Sequence, residues 1–446
     1  MTEFSQGPVM WQSYMAIIIF AATYICILIE KWSRTYTVLG GALLMVLLGI
    51  VPIGKAISTY ANWHALIFFI SLFIISVVFQ KNGLIAYLAS AVIRKFRLQP
   101  LMIMLGLSLL AAVISAFVDG ILAIAIIIPI TLSTAKMLKL SPVPFLISII
   151  LSANIGGAAS LLGNVPNRLI GAAAHLTMGQ FLAALAPLVI VMLAVIYIAM
   201  WILYGKKMIV SDAHKRELLS LQPKSYLTQD RILLYGGNVV LALTVVAFAL
   251  QGWLGWKTSY IGAASALVLL ALDYKSLWRL VKSKNYRLVL NGLLESQILF
   301  FFGLFIMVGG LAYTGASGYV AMRGLEISQG SVPFLSMLVM WLTSFGSAMM
   351  DNIPYVAAMV PVIEQTGTLL SGVSDVAITP LWWSLLVGAA VGGSATLLGS
   401  TVSMFAAGIA AQDGGGLSQR EYLIVAGPLS ILLLIVATIY FNFFLL

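Results

Sequence analysis

Charge is scarce in this chain. Of 446 residues only 9% are Asp, Glu, Lys or Arg, against about 25% in a typical soluble domain. A surface facing water on all sides cannot be built from so few charges. Cysteine is nearly absent too: Cys26 stands alone, which excludes an intrachain disulfide and a cysteine-based metal site. The three histidines, His64, His175 and His214, are scattered without ligand spacing. No GxxxxGK[ST] phosphate loop occurs, so this chain does not drive anything by binding ATP itself. No nucleophile–base pair suggests an intramembrane hydrolase, and an enzyme is not expected. Alternating ten-residue strand patterns are missing, which argues against a lipid-embedded barrel. The longest polar stretch, residues 204–230, is too short to fold alone.

What the chain has in quantity is apolar length. Hydrophobic residues make up 61% and the mean hydropathy is +1.06. Apolar runs fall at about 11–29, 36–54, 62–80, 101–118, 121–135, 143–171, 180–204, 232–251, 258–273, 290–313, 332–350, 353–363, 381–411 and 422–446. Many match the roughly 20 residues that cross hydrocarbon. The first has no basic region before it and no small-residue cleavage site after it, so it reads as a retained span. Runs 143–171 and 381–411 are overlong and glycine-rich. Run 353–363 rises only about 16 Å. Short runs in adjacent pairs suggest hairpins, which a bilayer tolerates only inside protein or along a cavity. The expected fold is an all-α polytopic membrane protein of about ten transmembrane helices, with two inverted-topology repeats and two re-entrant helical hairpins.

The formal net charge of +10 fits basic loop anchors rather than nucleic acid. With both termini outside, every Lys and Arg except Lys55, Arg168, Lys257 and Arg323 falls on the cytoplasmic side, as the positive-inside rule requires. The expected location is a bacterial cell inner membrane. Asp273 and Glu295 sit at span ends, and Glu364 closes the second hairpin.

The halves repeat each other. FFISLFIISVVFQKNGLIAYLA from Phe68 resembles FFFGLFIMVGGLAYTGASGYVA from Phe300. The same offset carries Asp119 to Asp351 and DGILAIAIIIPI onto DNIPYVAAMVPV. Further on, GGAASLLG from Gly156 matches GGSATLLG from Gly392. Blocks in one order at a nearly constant offset mark an internal repeat. The expected organisation is a first repeat over 1–204 (hairpin 101–135, broken helix 143–171), a cytoplasmic linker over 205–231, and a second repeat over 232–446 (hairpin 332–365, broken helix 381–411). An odd number of crossings per repeat inverts the second half, the arrangement that supports alternating access.

Asp119 and Asp351 lie at the expected hairpin tips. Carboxylates are costly in hydrocarbon and face a cavity or a partner; either could also cap the following helix. Gly156, Gly157, Gly392 and Gly393 allow close backbone approach to a ligand or to a neighbouring helix. Asn154, Ser160, Asn164 and Asn167 add neutral oxygens and amides in the first half. Ser394, Thr396, Ser400 and Ser403 do so in the second, and Asn352 marks the second tip. Arg168 either reaches the outer interface, holds an anion or pairs with Asp119.

The segments SAFVDGILAIAIIIPIT, SANIGGAASLLGNVPNRLIGAAA, DNIPYVAAMVPVI and GGSATLLGSTVSMFAAGIA resemble the arsenite permease and NhaD-type sodium–proton antiporter family of the ion transporter superfamily. The resemblance covers roughly 60–175 and 290–411. It implies a scaffold domain, a moving domain that carries both hairpins, and a homodimer. The chain departs from the family at Gly120, where Asn is usual, at Asn164, where the loop is usually acidic, and at Arg168, where an apolar residue is usual. These changes favour an anion over a cation at the first-half site.

The expected function is gradient-coupled transport of a small ion, foremost Na⁺/H⁺ exchange, with Na⁺ bound at Asp119 and Asp351. The alternatives are transport of arsenite, another oxyanion or a small carboxylate, and a non-transporting membrane scaffold. No cofactor is expected apart from a bound Na⁺. The expected partners are a small inorganic ion or anion and the lipid bilayer.

Overall fold

The computed structural model describes residues 10–29, 32–96, 99–206, 208, 223–274, 298–371, 378–412 and 416–446. Most of the expected linker 205–231, together with His214 and Glu295, lies outside the described residues.

The described chain is helical. Its longer helices are α1 (Met10–Leu28), α2 (Arg34–Leu47), α3 (Trp63–Asn82), α4 (Leu84–Lys95), α5 (Pro100–Phe117), α6 (Gly120–Met137), α7 (Val143–Gly157), α8 (Val165–Ala173) and α9 (Met178–Tyr204). They continue with α10 (Gly237–Ala249), α11 (Thr258–Leu272), α12 (Leu299–Tyr313), α13 (Ala316–Ile327), α14 (Val332–Met349), α15 (Asn352–Ser371), α16 (Thr379–Ala395), α17 (Thr401–Gln412) and α18 (Gln419–Phe444). Large apolar side chains such as Trp201, Trp253 and Phe443 stand exposed on the outside, as lipid-facing residues do.

The helix starts follow local chemistry. Proline opens α5, α14 and α16 within their first turn, where its missing N–H would have had no partner. Capping boxes open α9, through Thr177 and Gln180, and α18, through Ser418 and Glu421. Both of these long helices carry an internal proline, Pro187 and Pro428. Pro129 and Pro361 sit inside α6 and α15.

The halves pair symmetrically. Helix α5 packs along α7, and α14 along α16. Helix α3 packs on α11, while α12 packs on α2. Each broken helix crosses over to the other half: α17 packs on α6 and α8 on α15. Helices α1, α2 and α12 pack on one another as one group, α3, α10 and α11 as a second, and α5–α9 with α14–α18 as a third.

The expected count of about ten spans is not reproduced by length alone. Among the described residues seven helices are long and apolar enough to cross a membrane, or eight if the bent pair Leu299–Tyr313 and Ala316–Ser328 is one span. Helices α2, α7, α11 and α17 have only 14, 15, 15 and 12 residues. Conversely α5, α6 and α14, read from sequence as hairpin arms, have 18 residues each. That is about 27 Å of rise, close to the hydrocarbon thickness, so length does not separate a re-entrant arm from a crossing.

Candidate functional site

The chain breaks at Asp119 and again at Asp351, and in both places the carboxylate caps the helix that follows. Asp119 Oδ1 accepts from the amides of Ile121 at 2.8 Å and Leu122 at 3.4 Å. Asp351 Oδ1 accepts from the amide of Ile353 at 3.4 Å. Both breaks are held by equivalent ties. Ser115 Oγ donates to the Ala153 carbonyl at 2.6 Å, and Ser347 Oγ to that of Ala389 at 3.1 Å. Ser160 Oγ donates to the Ala116 carbonyl, and Thr396 Oγ1 to that of Ala348 at 2.7 Å.

The glycines are needed where these ties are made. A Cβ on Gly156 would lie 2.5 Å from Ala112 Cα, and one on Gly392 would lie 2.1 Å from the Ser344 carbonyl oxygen. Gly156 and Gly392 therefore set the helix crossings and do not line the cavity between the tips. Gly157 lies against the Asn164 side chain, and Gly393 beside Gly399 and Asn352. Asn167 Nδ2 donates to the carbonyls of Gly157 at 2.9 Å and Ser160 at 2.6 Å, closing the first loop. Ser394 Oγ donates to its own helix at Ala390 at 2.7 Å. Ser160, Asn167 and Thr396 thus hold the breaks with their polar atoms, whereas the Ser394 hydroxyl is satisfied within α16.

Between the tips lies a cavity of about 30 Å³, bounded by Asp119, Gly120, Asn154, Asn164, Asn352, Ser400 and Thr401 among others. That is room for a water or a dehydrated ion. Asn154 joins the halves across it: Nδ2 donates to Ser403 Oγ at 3.0 Å, and Oδ1 accepts from Ser400 Oγ at 2.9 Å. Asn164 Nδ2 donates to the Asn154 carbonyl at 3.2 Å. Four helix N-termini meet here, since residues from the first turns of α6, α8, α15 and α17 all line the cavity. A second cavity of about 210 Å³ shares Asp119 and Ile121 with the first. Its wall also includes Arg168, Ser76, Gln80 and Phe405.

Both carboxylates are ion-paired. Arg168 is buried and does not extend to an interface. Its Nη2 lies 2.8 Å from Asp119 Oδ2, and its Nε donates to the Leu162 carbonyl at 3.1 Å. Asp351 Oδ2 accepts from Arg34 Nη1 at 3.3 Å and from Thr401 Oγ1 at 2.9 Å. Tyr24 Oη donates to the Asp351 carbonyl at 3.0 Å. Sequence reasoning groups Arg34 with the loop cations and does not mark Tyr24 or Thr401. The repeat offers a signal for Thr401, which is the polar counterpart of Val165. No motif marks Arg34, because its partner lies more than three hundred residues away. Asp273, at the end of α11 as its place at a span end suggests, is buried and pairs with Lys81 at 2.7 Å.

The comparisons with known proteins agree with this architecture. The family model described as "Citrate transporter" matches residues 24–388. An uncharacterized transporter of Mycobacterium bovis is 30% identical over 413 residues, covering 92% of this chain and 93% of that one. The magnetosome protein MamN of Magnetospirillum gryphiswaldense is 27% identical over 455 residues, covering 96% and 98%. The crystal structure of the Alcanivorax borkumensis YdaH transporter, described as having an unusual topology, aligns with a TM-score of 0.58 at 13% identity over 90% of this chain and 88% of that one. That last likeness supports the fold.

The resemblance to the arsenite permease and NhaD-type antiporter family is corrected by these matches. The motifs behind it, DNIP and the paired glycine blocks, build helix breaks and crossings, and that architecture does not single out one transporter family. The family model spans most of the chain, and with it the chain is placed as a multi-pass bacterial membrane protein, a secondary transporter of a small solute and not an enzyme: it belongs to the citrate transporter family.

Proposed function

We propose that the chain transports a small carboxylate anion by alternating access, with a monovalent cation or proton as the coupling species. The observation that carries this reading is the charge around the tips. Each helix N-terminus contributes roughly half a positive charge. The carboxylates cap α6 and α15, while α8 and α17 begin behind the neutral Asn164 and Ser400. Asp119 and Asp351 are matched by Arg168 and Arg34. Four helix ends thus leave a net positive field of about two charges, which draws in an anion.

The two cavities divide the work. The larger has room for a small carboxylate beside Arg168. The smaller fits an ion among hydroxyl, amide and carboxylate oxygens. Asp119 is common to both, so an anion on one side and a cation or proton on the other act through one residue. A hydroxy-carboxylate of the citrate kind is the substrate class that the family name suggests. In this reading residues 1–204 and 232–446 are inverted repeats joined by 205–231. Their hairpins enter the bilayer of the inner membrane from opposite faces, and both termini lie outside. The repeat in sequence and the reciprocal pairing of α3 with α11 and α12 with α2 support it.

Na⁺/H⁺ exchange at Asp119 and Asp351 is a second reading, favoured at Asp119 by the ion-sized cavity that this residue lines. Flux in proteoliposomes separates the two. Labelled citrate uptake that follows an imposed Na⁺ or pH gradient and is lost in R168Q supports anion transport. Sodium-dependent proton movement without any anion requirement overturns it in favour of exchange.

A further inference from the structure

The larger cavity beside Asp119 has one polar wall that none of the sequence motifs marks. It comes from α3, which touches α6 and α8, and it carries Ser76 and Gln80. Residues at this spacing share a helix face. Neither side chain makes a hydrogen bond among the described residues. Their polar neighbours on α3 are all engaged elsewhere. Ser71 Oγ donates to its own helix at Ile67, at 2.6 Å. Lys81 pairs with Asp273, and Asn82 Nδ2 donates to the carbonyls of Leu233 and Leu234 at 3.2 and 3.3 Å. Arg168 lines the same cavity. Its Nε and Nη2 are taken by the Leu162 carbonyl and Asp119. Its Nη1 has no partner among the described residues, although the side chain is only 6% exposed. A buried donor of this kind calls for an acceptor.

The second repeat supplies an internal comparison. The offset that carries Phe68 to Phe300 carries Ser76 to Val308 and Gln80 to Ala312. The register is fixed by Gly83 and Gly315, which follow the two helices with φ of 80° and 76°. Helix α12 thus has apolar residues where α3 has a serine and a glutamine, so this helix packing does not demand polar groups. A polar pair on a membrane helix that faces a cavity is explained by what the cavity holds.

We propose that Ser76 and Gln80 are specificity-determining residues that read a hydroxyl group on the solute, while Arg168 Nη1 holds one of its carboxylates. A hydroxyl both donates and accepts, as do the serine hydroxyl and the glutamine amide; a further carboxylate could only accept. The pair therefore selects a hydroxy-carboxylate over the same acid without its hydroxyl, because the lost group leaves a polar partner unpaired. Ser76 is half-buried and Gln80 exposed, so water replaces part of the loss and the discrimination is roughly tenfold. The inference deepens the carboxylate reading above and rests on it.

The test is uptake into proteoliposomes under an imposed Na⁺ or pH gradient, at a mildly alkaline pH. Citrate is compared with tricarballylate, and malate with succinate; the members of each pair differ by one hydroxyl. The parent is set against S76V/Q80A, which gives α3 the residues that α12 carries, and against S76A and Q80A singly, which serve if the double variant does not insert. In a transported pair the parent favours the hydroxy acid in kcat/KM by roughly tenfold, and the ratio falls toward one in the variants. General damage to the protein lowers both rates and leaves the ratio alone. Equal kcat/KM for the two acids in the parent, or the parent's ratio kept in the variants, overturns this inference and leaves the carboxylate reading standing. Uptake of none of these acids overturns the carboxylate reading and this inference with it.

Discussion

Replacing Arg168 with glutamine removes the positive partner that lies 2.8 Å from Asp119 Oδ2. The two side chains are 6% and 18% exposed, so water replaces little of what is lost. Unit charges about 4 Å apart attract by ~4 kcal/mol at an effective dielectric near 20. Breaking one side of a buried pair typically costs about 3–5 kcal/mol. Asp119 keeps two amide donors and some solvent contact, which places R168Q near the lower end, at about 3 kcal/mol. D119N costs less, about 1–2 kcal/mol, because asparagine still caps α6 and Arg168 keeps the Leu162 carbonyl. The double variant has neither charge to leave stranded, so its loss is no larger than that of R168Q alone. The cycle then shows a coupling of about 2 kcal/mol, within the range for residues in contact. Unfolding by SDS titration of the four proteins in mixed micelles measures it. Losses that add to within about 0.5 kcal/mol would refute the pairing.

Two further outcomes follow from the geometry. G156A and G392A each place a methyl group inside the van der Waals radius of neighbouring backbone; each should lose about 1–3 kcal/mol of stability or fail to fold. G408A, which meets open space, should match the parent in the same SDS titration. D351N should abolish transport while membrane insertion, followed by immunoblot of the membrane fraction, stays intact. Full flux in that variant would remove Asp351 from the mechanism.

Much of the architecture was legible from residues alone because the bilayer restricts the choices so severely. With 9% charge no water-facing fold exists, and within hydrocarbon a backbone must satisfy itself in helices or a closed barrel. The repeat brought out the two aspartates and the paired glycine blocks, since the same break must be built twice from the same kinds of residue. Capping boxes at Thr177 and Ser418 open α9 and α18, the helices that follow the two broken ones. The family assignment from motifs failed for a physical reason: Gly156, Gly392, Ser160 and Thr396 serve the crossings and breaks of the fold, and such residues report architecture more than substrate.

Sequence by itself determined the membrane class, the repeat, and the carboxylates at the breaks, because each is a local consequence of hydropathy, spacing and helix ends. The tertiary structure decided what those carboxylates face. Arg168 is 49 positions from Asp119, and Arg34 is 317 from Asp351. Whether such side chains meet depends on which helices cross. A linear pattern of apolar runs carries no record of that, since hydrocarbon rewards every apolar face alike and only close contact between helices selects partners.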